Sequence, residues 1–160
     1  MIQRIQTVYL LAAVICCLAA SLARVGVWEE AMTGAEAAAM GNWTLSSPVL
    51  RGVSGPFALG VLLVLAVLID LVAVLLFRHR MRQLRLVIFS TILLVGYVLV
   101  YAFFAWLYGQ KLAILLPDVE IVFRLRFMAV LPVVSIILNA LAIGGIRRDE
   151  ALVRSLDRLR

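Results

Sequence analysis

The sequence predicts an all-α membrane protein: a four-transmembrane-helix bundle, with a small extracytoplasmic β-sheet built from its two outer loops. Three observations carry this expectation. Of the 160 residues, 65% are hydrophobic and the mean hydropathy is +1.11, where a soluble domain is nearer half apolar. The apolar residues gather into four runs of roughly 20 residues, the length a helix needs to cross ~30 Å of hydrocarbon. Between the second and third runs, Phe77–Leu86 carries Arg78, Arg80, Arg82 and Arg85. Guanidinium groups are costly in hydrocarbon and short basic loops stay in the cytoplasm, so this stretch reads as a cytoplasmic turn.

Taken in order, the spans are expected at about 7–27, 55–77, 86–108 and 127–146, with a cytoplasmic amphipathic tail over 147–160, all in one integral domain. In the first, Ser21-Leu22-Ala23 resembles a signal cleavage site, and Ile15 before Cys16 fits a lipoprotein signal poorly. The segment reads as a retained span. Ala12, Cys16, Ala19, Ala20 and Ala23 recur at three and four, a flat face for helix contact, and Arg24 snorkels at its outer end. In the first outer loop, Ala35–Met40 suits a turn of helix and Trp43–Ser46 a short strand. Trp28 and Trp43 suit the headgroup zone. Asn42-Trp43-Thr44 matches a glycosylation acceptor, read as chance. In the second outer loop Val119–Phe127 alternates strictly, a strand signal. A strand beside a membrane needs a backbone partner, and the Trp43 region is the one expected. Pro132 falls in the first turn of the fourth span, where its missing N–H costs little, and Gly144-Gly145 loosens the exit.

The charge pattern assigns sides. The inner segments hold ten basic residues (Arg4, the four loop arginines, Arg147, Arg148, Arg154, Arg158 and Arg160) and the outer ones five (Arg24, Arg51, Lys111, Arg124 and Arg126). Both termini are therefore expected in the cytoplasm. The net charge of +6 serves anionic headgroups of the lipid bilayer, so no nucleic-acid partner is expected. Cys16 and Cys17 are adjacent and cannot bridge. No metal-ligand spacing, catalytic set, nucleotide-binding turn or cofactor motif is present. The expectation is that the chain is not an enzyme and carries no cofactor.

The candidate site is an intramembrane polar layer. Asp70 lies eight residues before Arg78, and Asn139 eight before Arg147. Both helices leave on the basic side, so the two share a depth of about 12 Å. Ser90 and Thr91, just past Arg85, sit slightly shallower. A proton or cation site would use these groups; interhelical hydrogen bonding would use the same ones to set bundle register. Tyr97, Tyr101, Phe104 and Tyr108 share a face that suits packing, or a quinone or lipid tail. His79 reads as a solvated loop residue.

The opening Met1–Leu11 and the closing Ile146–Arg160 resemble the ends of a small four-span membrane protein family of gram-negative bacteria, classed as a domain of unknown function. Arg80, Gln83, Arg85, Leu86 and Asn139 fit that resemblance too. It implies the bacterial cytoplasmic (inner) membrane and four spans, and brings no catalytic residues. The leading functional expectation is an accessory, assembly or scaffold subunit contacting other membrane proteins or a second copy of itself. The alternative is a small transporter or an ion- or proton-conducting protein using Asp70.

Overall fold

In a computed structural model, which describes residues 2–50, 53–76 and 80–157, the chain forms four long helices and one four-stranded sheet. The order is α1 (Ile2–Leu22), β1 (Arg24–Glu30), β2 (Glu36–Gly41), β3 (Leu45–Ser46), α2 (Phe57–Leu75), α3 (Arg80–Leu115), β4 (Ile121–Leu125), a 3-10 turn (Phe127–Val130) and α4 (Leu131–Asp157). All four helices are long and apolar enough to cross a membrane. They form an up-down-up-down bundle in which α1 packs on α2 and α4, and α3 packs on the same two.

The apolar residues fill three levels. Leu10, Ala73, Val87, Ala142 and Ile146 close the end where the chain begins. Val14, Cys17, Leu63, Val67 and Leu94 fill the middle. Val25, Trp28, Met40, Tyr108 and Leu112 join the sheet to α3 at the far end. The outward faces are apolar as well: Val8, Leu11 and Ile15 on α1, Leu65, Leu68 and Leu71 on α2, Ile92 and Leu99 on α3, and Val133, Ile137 and Leu141 on α4 are exposed. A helix that is apolar all round is the kind that lies in hydrocarbon.

The helices are unequal. At 1.5 Å per residue α1 and α2 are each about 30 Å long, whereas the 36 residues of α3 make about 54 Å. The surplus stands beyond the bundle and carries the sheet. The strand order is β3-β2-β1-β4. β1 climbs alongside the end of α3: the Val25 carbonyl accepts from the Tyr101 hydroxyl at 2.9 Å, and further up Trp28 packs edge-on to Tyr108. The β1–β2 connection turns at Gly34, whose φ of +68° suits glycine.

Several expectations are corrected. The first helix stops at Leu22, and residues 24–27, assigned to the span, are strand β1; Val25 and Val27 alternate around Gly26, and this β-branched pattern overrides the hydrophobic run. Ala35–Met40 is not helical but supplies β2; the ladder with β1 outweighs alanine's helix propensity. The alternating stretch does pair, but with β1 in antiparallel register (Trp28 opposite Phe123) instead of with the Trp43 region. Trp28 is buried against α3. The third helix begins at Arg80, so Arg80, Arg82 and Arg85 lie on helix and not in a loop, and it continues past 108 to Leu115. The tail is not a separate helix: α4 runs through Gly144-Gly145 without a break to Asp157. On α1 the inward seam is Leu10, Ala13, Val14, Cys17 and Ala20; of the expected small-residue face, Ala12 and Cys16 are half-buried and Ala19 is exposed.

Candidate functional site

Asp70, Ser90 and Asn139 meet between the middle and inner apolar levels, and all three are fully buried. Asp70 projects from α2, one turn past Ala66 and one before Ala73. The Asn139 amide, on α4, donates toward both carboxylate oxygens of Asp70 at 3.2 and 3.4 Å and lies 3.5 Å from the Ser90 hydroxyl of α3. Ser90 in turn donates to the Ala66 carbonyl at 3.4 Å. The Asn139 Oδ1 is buried and, among the described residues, has no hydrogen-bond partner. Thr91 does not join: its hydroxyl bonds back to Val87 within α3 at 2.7 Å. The layer thus ties three helices through one carboxylate and one amide.

Three polar clusters escaped the sequence reading. At the sheet end, Asn42 reaches into the bundle. Its amide donates to the Ala20 carbonyl at 2.6 Å, its side-chain oxygen accepts from Tyr97 at 2.8 Å, and its backbone oxygen accepts from Gly60 N–H at 3.0 Å. Trp43 beside it donates to the Ser21 carbonyl at 3.1 Å and lies on Gly60, where a Cβ would come 2.5 Å from the indole. Asn42 and Trp43 therefore cap the last carbonyls of α1, which helix geometry leaves without partners. In the middle, Ser135 of α4 accepts from the Cys17 thiol at 3.2 Å and donates toward Ala13 O at 3.1 Å. At the opposite end, Gln6 donates to the Asp149 carboxylate at 2.8 Å, and Arg80 donates to the Asp149 backbone oxygen at 3.2 Å. That contact brings the beginning of α1, the beginning of α3 and the basic part of α4 to one end of the bundle.

The aromatic face of α3 is occupied by the protein itself. Tyr97, Tyr101 and Tyr108 donate to Asn42, Val25 and Ser54. Of the basic residues, Arg147 and Arg148 are exposed and, among the described residues, have no ion-pair partner. Arg154 lies on α4, its side chain outside the described residues; Arg78, His79, Arg51 and Arg158 lie outside them altogether.

The sheet leaves one long edge open. β1 N–H and C=O groups bond Glu120 and Arg126 at the two ends of β4 (Ala31 N–H to Glu120 O, 2.8 Å; Arg126 N–H to Val25 O, 3.3 Å). In the antiparallel register the even-numbered residues therefore face β1, and the N–H and C=O of Ile121, Phe123 and Leu125 point away from the sheet. Behind this edge a groove of about 400 Å³ lies between β4 and α3, lined by Trp28, Trp106, Gly109, Gln110, Ile121 and Phe123 among others. Three ion pairs lace the sheet: Arg124–Glu29, Arg24–Glu36 and Arg126–Glu36.

None of the curated proteins compared with the chain matches it. A family model, described as a domain of unknown function, DUF4293, matches residues 2–159. The match takes in the whole bundle, the polar layer and the sheet together, and the chain belongs to the DUF4293 family.

Proposed function

We propose that the chain is a multi-pass protein of the bacterial cytoplasmic membrane, with both termini in the cytoplasm, and that it is a non-enzymatic accessory or scaffold subunit. It receives an extended segment of another membrane protein as a fifth strand on β4. The observation that carries this reading is the open β4 edge of a sheet whose β1 strand packs along α3. An unpaired edge offers a ready row of donors and acceptors, and the groove behind it accepts apolar side chains at alternate positions.

Geometry argues against a second copy as the occupant. Two antiparallel β4 strands in one sheet would be related by a two-fold axis perpendicular to that sheet. The strands run along α3, so that axis would lie in the membrane plane and would invert the second copy in the bilayer. A heterologous partner has no such constraint. The test is photo-crosslinking from Val122, exposed on β4, in native membranes. One discrete adduct is expected. It should be lost in Leu125→Pro, which removes an outward N–H and leaves the β1 ladder intact. No adduct, or an adduct only with itself, contradicts the proposal.

A second reading, a proton- or cation-handling protein, has one observation in its favour: the unpartnered Asn139 Oδ1 beside the Asp70 carboxylate. Intramembrane acids often mark ion paths. Flux in liposomes tests it; transport abolished by Asp70→Asn supports it, and no flux, or unchanged flux in the variant, rejects it.

A further inference from the structure

At the end of the bundle opposite the sheet, a groove of about 480 Å³ opens between α1 and α4. Ile5, Tyr9, Ala140 and Leu141 form its apolar wall, and Arg148 stands at its mouth. Glycine makes the groove. A Cβ on Gly144 would meet nothing within 4 Å, so the missing side chain is empty space facing outward. Gly145 does the opposite: there a Cβ would come 2.9 Å from Gln6, so α1 and α4 close tightly just behind the opening. The groove is a notch in the bundle surface and not a passage through it.

We propose that this notch binds one anionic phospholipid of the inner leaflet, with an acyl chain along Ile5, Tyr9 and Leu141 and the headgroup phosphate on Arg148. Charge complementarity identifies the occupant. Arg148 is exposed and has no ion-pair partner among the described residues, and Arg147 beside it is in the same position. The one acid in the lining, Asp149, is buried and already accepts from Gln6, and the Arg80 guanidinium reaches its backbone. Arg80, Arg147 and Arg148 outnumber Asp149 and Glu150 at this end, so the net local charge is positive. Planar guanidinium donors match a phosphate in two-point fashion, and the apolar wall below continues the hydrocarbon. A soluble anion would gain nothing from that wall.

The inference rests on the bilayer placement proposed above but not on the scaffold role. The experiment uses the full chain, stripped of lipid in detergent and titrated with phosphatidylglycerol or phosphatidylcholine, with bound lipid counted by native mass spectrometry. One tightly held phosphatidylglycerol per chain is expected. Arg148→Gln should weaken it about fivefold, the value of one cation near an anionic headgroup, and Gly144→Leu should displace it by filling the notch. Ala140→Phe fills the same space from a neighbouring exposed position and replaces Gly144→Leu if that variant does not fold. Glycerol phosphate should not compete. Equal retention of the two lipids, undiminished binding in the filled variants, or the same loss from Arg82→Gln as from Arg148→Gln would each overturn the site. A chain that inserts into membranes but holds no phosphatidylglycerol would reject the notch and leave the membrane placement intact.

Discussion

The Tyr97 hydroxyl donates to the Asn42 side chain at 2.8 Å, joining a loop residue to the middle of α3. The same Asn42 caps Ala20 at the end of α1 and its backbone holds the start of α2. One loop residue thus ties three helices together, α1 and α3 through its side chain and α2 through its backbone.

Removing it should be costly. Asn42→Ala leaves the buried Tyr97 hydroxyl without its acceptor, at about 1–3 kcal/mol, and leaves the Ala20 carbonyl only the longer bond from Ala23 N–H at 3.3 Å. Tyr97→Phe removes one bond and should cost about 1 kcal/mol. Unfolding of the detergent-solubilised protein measures both, and the double variant should cost less than the sum.

Gly60 is required by the Trp43 ring. Gly60→Ala places a methyl 2.5 Å from the indole, and such overpacking costs about 1–3 kcal/mol. In a Trp43→Ala background the same change should be close to neutral. A thermal-unfolding cycle over the four proteins reads that difference.

The polar layer should behave as a matched set. Asn139→Leu alone leaves the buried Asp70 carboxyl without its amide donor, and Asp70→Leu alone strands the amide. Membrane polar contacts of this kind carry about 1–2 kcal/mol. The double Leu variant should recover most of the loss, because replacing both partners by apolar groups is nearly neutral. The comparison is again unfolding of the single and double variants.

The ion pairs on the sheet should matter little. Glu36 bridges Arg24 and Arg126, but all three side chains are about half exposed, and pairs of that kind contribute roughly 0–1 kcal/mol. Glu36→Gln should leave the unfolding midpoint almost unchanged, at low salt as at high.

The existence of four helices is legible from length and apolar content, though their ends are not, and the shared level of Asp70 and Asn139 follows from their equal distance to the basic helix ends. Ser90 and Thr91 are alike by counting, but they lie one residue apart on the helix: Ser90 is buried, whereas Thr91 is half-buried with its hydroxyl turned back to Val87. The edge between span and sheet was illegible for a physical reason. Ala23–Val27 stays apolar apart from Arg24 and Gly26, and an arginine at that place also suits a span end where it can snorkel; the Val25-Gly26-Val27 alternation is what marks the strand. Val119–Phe127 announced a strand, but its partner depended on how far α3 stands above the bundle, which hydropathy does not encode. The Gln6–Asp149 contact left no signal, since a glutamine and an aspartate near arginines read as solvated ends.

The proposed membrane placement requires the basic end and the sheet to lie on opposite sides of one bilayer. Single cysteines at Arg82 and Val122, in a chain with Cys16 and Cys17 replaced by alanine, test this with a membrane-impermeant maleimide. In intact spheroplasts the account expects labelling at position 122 and none at 82 until the membrane is opened. Labelling of both positions from outside, or of 82 alone, would contradict it.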